Sequence, residues 1–110
     1  MGRIDIYKDF SDTPGGRYRD EGDFSGEQFR EEHLLPMLQM CQDNGEKLVI
    51  NFDNCFGFAT SFLEEAFGGL VRIYKKRGVL KDIEIVSNDD ETIPGLVSKY
   101  ILAAEKALKL

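Results

Sequence analysis

A chain of 110 residues with 42% hydrophobic side chains can bury a core without disulfides or metals. Its net charge of −6 repels nucleic-acid phosphates and anionic lipid heads, and the longest basic run, Lys75-Lys76-Arg77, is too short to reverse that. Two cysteines make no disulfide framework, and no apolar run reaches the roughly 18 residues of a membrane span.

In chain order, "RIDIYKDF" alternates around Ile4 and Ile6 and predicts a first strand. "SDTPGGRYRDEGD" carries turn chemistry at Pro14-Gly15-Gly16 and again at Gly22. The intervening "RYR" predicts a second strand, antiparallel to the first. Ser25 and Gln28 form a capping-box pair that starts a helix through Phe29, Leu34, Leu38 and Cys41. Pro36 interrupts it, since a proline inside a helix removes a hydrogen bond and kinks the chain. "KLVINFD" is a strand with Leu48, Ile50 and Phe52 on one face and Val49 and Asn51 on the other. Apolar side chains on both faces predict a central strand covered by helices.

From Ser61, the residues Phe62, Leu63, Ala66, Phe67, Leu70, Ile73 and Tyr74 recur at helical spacing. Lys75, Lys76 and Arg77 suit the negative end of that helix, and Gly78 is placed to close it in the left-handed conformation. "KDIEIVS" is the next strand. Asp89, Asp90 and Glu91 then precede a last helix striped by Ile93, Val97, Tyr100, Ile101, Ala104 and Leu108. Strands alternating with helices predict a single α/β domain over residues 1–110, with right-handed crossovers.

The chemical inventory is thin. His33, the sole histidine, sits in "EEHLL" as a surface helix residue. No cysteine or histidine pair has zinc spacing, and the Gly-Gly pairs match neither a phosphate loop nor a dinucleotide fingerprint. No metal site, cofactor or catalytic set is expected. Gly15, Gly16, Arg17 and Arg19 are a candidate anion cradle, against the plainer reading of a glycine turn. Cys55, after a strand end, reads as a small buried hydrophobe before it reads as a nucleophile.

At "FGFATSFLEEAFGGL", strand gives way to helix between aromatic side chains. Ser61 and Glu64 form a second capping-box match, so the serine hydroxyl is expected to cap the helix. A phosphate on a hydroxyl there would also meet the helix dipole and free N–H groups.

"KLVINFDNCFGFATSFLEEAFGGL" resembles the strand–loop–helix core of STAS domains, the fold of sulfate transporters and anti-sigma-factor antagonists. Aligned with the antagonists' Asp-Ser-Ser-Gly motif, Ser61 falls on the serine that partner kinases phosphorylate and Thr60 on the serine before it. Ala59 stands where that motif has Asp, and Phe62 where it has Gly. "DFSDTPGGRYRDEGDFSGEQFREEHLLPML" and "TSFLEEAFGGL" are similar to a STAS-like domain family of unknown function. The resemblance implies a STAS-like α/β fold, with about four strands in a mixed, mostly parallel sheet covered by about three helices.

It further implies a bacterial, non-enzymatic interaction module with Ser61 or Thr60 as phosphoacceptor. Asp53, Asn54, Phe56, Gly57, Phe58 and Phe62 would form the partner surface, and the partner by analogy is an anti-sigma-like kinase, a histidine-kinase-type ATPase. The alternative is a module that senses a nucleotide or another anion. No charged-then-apolar leader opens the chain, so the cytoplasm is the expected compartment.

Overall fold

A computed structural model describes residues 2–108. Three strands, β1 (Gly2–Asp5), β2 (Leu48–Asn51) and β3 (Ile83–Val86), form one parallel sheet in the order β1-β2-β3. The register sets Ile4 beside Ile50 and Ile50 beside Ile85. Leu48, Ile50, Ile4, Ile83 and Ile85 share the face that joins the core. The opposite face carries Arg3 and Glu84, both exposed, on either side of Val49. The central strand is thus covered by helices on one face, because two charged neighbours flank its apolar back side.

Four helices follow the strands. A single turn, α1 (Ile6–Asp9), extends β1 and buries Ile6, so only the first half of "RIDIYKDF" is extended. Helix α2 runs over 26–43, α3 over 60–74 and α4 is Ile93–Ala107. Helix α3 lies between α2 and α4 and contacts both. Phe29, Phe62 and Phe67, all fully buried, are the largest side chains of the core.

Ser25 caps α2 as expected, its hydroxyl accepting from the Gln28 N–H at 3.0 Å. The reciprocal bond of the capping box is displaced by one residue: Gln28 Oε1 accepts from the Phe24 N–H at 3.0 Å rather than from that of Ser25. Pro36 does not break the helix. A π-helical turn, Arg30–Leu34, precedes it, and the α-helix restarts at Leu35–Asp43 with Pro36 in its first turn. The π turn shifts the backbone pairing from four to five residues just ahead of Pro36, as in the Leu35 N–H bond to the Arg30 carbonyl, so the helix absorbs the missing N–H without breaking.

Helix α3 contains a matching π turn, Glu64–Gly68. It ends at Lys75, which itself takes the left-handed conformation expected of Gly78 (φ 55°). Gly78 also has positive φ, in the turn ahead of β3.

The expected antiparallel strand at "RYR" is not formed. Arg19–Glu21 is a 3-10 turn within the loop joining α1 to α2, and the sheet has three strands among the described residues rather than four. Carboxylates take the backbone donors that a strand would have offered. Glu21 Oε1 accepts from the N–H groups of Arg17 (2.9 Å) and Tyr18 (2.8 Å), and Glu27 Oε1 accepts from Arg19 N–H at 2.9 Å. With those groups satisfied inside the loop, a ladder partner has nothing to recruit.

The two π turns face each other across a buried ion pair. Arg30 and Glu65 are 6% and 8% exposed and bond directly, and Arg30 Nη1 also donates to the Glu65 carbonyl at 3.0 Å. Glu64 accepts from Arg72 at 2.7 Å and from Arg17 at 2.5 Å, and these bonds, Arg72 first, hold its carboxyl below the usual range. Gly69 leaves room for Arg30, and Gly26 lets α2 approach α3: a Cβ there would lie 2.5 Å from the Phe62 carbonyl oxygen.

Candidate functional site

Loops that leave the carboxyl ends of parallel strands gather along one sheet edge, where α/β proteins place their binding sites. Here residues 53–59, after β2, meet 87–92, after β3. Asp53 is the clasp. Its Oδ1 accepts from the N–H groups of Asn88 (2.7 Å) and Asp89 (2.8 Å), and its Oδ2 accepts from Asn88 Nδ2 at 2.8 Å. Asp89 answers by accepting from the Asn54 N–H at 2.8 Å. The backbone bond from Asp89, with those from Asn88, holds the Asp53 carboxyl below its ordinary value. A third loop joins in, because the Phe56 N–H donates to the Asp12 carbonyl at 2.8 Å.

This bonding fixes a loop whose side chains diverge. Phe56 is 85% exposed, the most exposed large hydrophobic residue described. Asn54 takes a left-handed backbone (φ 70°), as does Gly57 (φ 139°), and the chain reverses between them. Phe58 is half-buried, with its ring 5.0 Å from that of Phe52 and 5.8 Å from that of Phe62. Phe62, expected on the partner surface, is fully buried and offers nothing to a partner. The α3 stripe that carries it points into the core.

The helix start also differs from expectation. Helix α3 begins at Thr60, with Ala59 as its extended cap residue and no side-chain cap. Ser61 sits one residue inside the first turn and is half-buried, while Thr60 is exposed. The Ser61–Glu64 capping box is not made, because the helix starts at Thr60 and Ser61 is not at its cap position; the Glu64 carboxylate pairs with Arg17 and Arg72 instead. Both hydroxyls therefore lie in the first turn of a continuous helix, and the cap does not consume either.

Cys55 lies under this loop with its Sγ 3.7 Å from the Ser11 carbonyl. Burial, and then the charges of Asp12, Asp53 and Asp89, push its thiol up to about 11. At neutral pH it is a thiol, not a thiolate. His33 is half-buried on α2, stacked on Phe29 and edge-on to Phe10. Among the described residues, no group of three or more histidine, cysteine or acidic side chains could hold a metal ion.

In the Gly15-Gly16-Arg17-Arg19 segment both arginines are already paired. Arg17 is engaged by Glu64 and Glu65, and Arg19 by Glu31 (2.8 Å) and Glu32 (3.1 Å). Three features escaped the sequence reading: the Asp53 clasp, the position of Asp12, and the Arg30–Glu65 pair. Only the last leaves a sequence signal. Glu65 falls between Phe62 and Gly69 on the buried helical stripe, and Arg30 between Gly26 and Leu34, where a charge needs a partner of opposite sign.

The model of a family described as a STAS-like domain of unknown function (DUF4325) matches residues 25–92. The chain belongs to this family. The STAS-like match runs from the Ser25 cap to Thr92 and includes β2, α3, β3 and the clasped loops between them. No curated protein and no solved structure matches the chain. Among the described residues, no helix is long and apolar enough to cross a membrane.

Proposed function

We propose that this STAS-like domain acts by binding a protein partner rather than by catalysis, in the cytoplasm, through the loop 53–59 and the first turn of α3. The observation that carries the reading is Phe56, an exposed aromatic on a loop whose backbone is already held by hydrogen bonds. Aromatics anchor interfaces, and a fixed loop loses little freedom on docking. Asp53 sets the loop, Asn54 and Gly57 supply its reversal, and Phe58 supports its apolar base.

Thr60 is the first candidate phosphoacceptor, being exposed, and Ser61 the second. A phosphate on either would bring roughly two negative charges beside an apolar contact. By the likeness to anti-sigma-factor antagonists, the modifying partner is a kinase of the histidine-kinase ATPase type. The anion-sensing alternative gains no comparable support, since Arg17 and Arg19 are both occupied by carboxylates.

The test starts with a partner isolated from the native cell, purified, and titrated against variants. Phe56→Ala, Thr60→Asp and Ser61→Asp should each weaken binding about tenfold or more, the usual loss for an interface anchor. Thr60→Ala and Ser61→Ala should bind like the unmodified chain. Unchanged affinity for Phe56→Ala would remove the docking surface. Asp variants that match the Ala variants would remove only the switch.

A further inference from the structure

The groove along β3 is unrelated to the loop surface. Between the outer edge of β3 and helix α4 lies an apolar channel of about 590 Å³, lined by Leu80, Ile83, Ile85, Val97, Ile101 and Leu102. Its lower end is tied shut by Glu105, whose Oε2 accepts from the Gly78 N–H at 2.6 Å. No described strand pairs with that edge of the sheet.

The ladder fixes which backbone groups face the channel. Leu48 N–H donates to the Asp82 carbonyl (3.1 Å) and Phe52 N–H to the Val86 carbonyl (2.8 Å), so the even-numbered residues turn toward β2. By alternation, Ile83 and Ile85 turn outward. Ile83 N–H is used in the turn, at 3.4 Å from the Leu80 carbonyl. The two carbonyls and the Ile85 N–H are aimed at an incoming strand.

We infer that this edge binds an extended segment of another protein, in which apolar side chains entering the groove alternate with a basic one beside Glu84. The backbone groups call for an extended occupant, and the floor calls for apolar side chains. Charge supplies the rest. The residues bordering the groove include Glu84 and Glu105 against Lys81 alone, on a chain of net charge −6. Glu84 is exposed and projects from the sheet face opposite the channel. There a neighbouring strand's side chain would stand beside it.

A second copy fits poorly. The antiparallel register that uses both outward residues, Ile83 against Ile85, sets Glu84 directly against the second copy's Glu84. Like charges directly opposite one another destabilise a sheet.

The experiment titrates the full chain with the peptide Ac-Ile-Lys-Ile-Lys-Ile-NH2, and separately with its Glu-for-Lys counterpart, by NMR. The basic peptide should shift signals of β3 and α4 saturably, slow exchange of the Ile85 N–H, and leave the Phe56 loop unmoved. Glu84→Lys should reverse the preference, each affinity changing by about fivefold, the upper range for a cross-strand charge pair. Leu102 is 56% exposed, so Leu102→Asp should leave the fold intact and abolish binding.

Equal affinity for both peptides, shifts mapping to another surface, or no binding at millimolar peptide would overturn the inference. So would a concentration-dependent dimer that already protects the Ile85 N–H and is lost in Leu102→Asp. Phe56→Ala should bind the peptide normally, so the groove and the loop surface stand or fall separately.

Discussion

At Cys55, burial and three nearby carboxylates keep the sulfur protonated, so position rather than residue type decides its chemistry. Alkylation of Cys55 at pH 8 should be about a hundredfold slower in the folded chain than in urea, from the scarcity of thiolate. Mass spectrometry of the modified peptide measures this directly, and equal rates would mean the thiol is neither buried nor beside acids. Phe56 and Phe62 make the same point without ionisation. Both flank the same loop–helix junction, yet one is 85% exposed and the other fully buried. Helical spacing identified Phe62 as core, whereas its proximity to the junction suggested a contact residue. The periodicity was the better guide, because a stripe reports which way a side chain points.

Paired helices decide more than either helix alone. Helices α2 and α3 each open into a π turn, and the facing turns enclose Arg30 and Glu65. Removing one partner leaves a buried charge uncompensated, so Glu65→Ala should cost about 3–5 kcal/mol. Replacing both, as Arg30→Met with Glu65→Leu, should recover much of that loss. Urea denaturation of the two variants checks it, and a Glu65→Ala midpoint near the unmodified chain's would show that the pair contributes little. The helices themselves were legible, since their starts, apolar stripes and approximate ends follow from neighbours within a few positions. Their caps were only partly so. Ser25 caps α2 because its donor, Gln28 N–H, is local. Ser61 does not cap α3, because the Phe62 and Leu63 N–H groups already donate to the Ala59 carbonyl and the helix starts one residue earlier.

Across the whole molecule, one three-stranded sheet carries two separate surfaces: the clasped loops at its carboxyl edge and the groove along β3. The clasp should resist acid. Asp53 has a folded-state pKa depressed below 3.8. Its contribution is therefore present above the ordinary carboxylate pKa and is lost as pH falls through the lower folded value. The Asn88 and Asp89 amide signals should hold steady from neutral pH to about 4 and move only below that. A transition centred well above pH 4 would mean that Asp53 does not hold the loops. Of this site, the sequence made the loop and its hydroxyls visible. Strand ends that cluster along one edge of a parallel sheet allow Asp53 and Asp89 to meet. The sequence did not reveal that they meet as a hydrogen-bonded clasp or that Asp12 joins them, because those contacts depend on how the loops fold back.

By itself, the sequence determined the alternation of strands and helices, the three long helices, the inward stripe of α3 and the place of the loop after β2. Each follows from spacing and turn chemistry within a few residues. Only the tertiary structure decided that "RYR" would stay out of the sheet, that Ala59 rather than Ser61 would precede α3, and that β3 would keep an open edge. Those outcomes are competitions for hydrogen bonds and counter-charges. Where the partners lie far apart in the chain, as Arg17 and Glu64 do, the outcome is set by which groups the fold brings within reach.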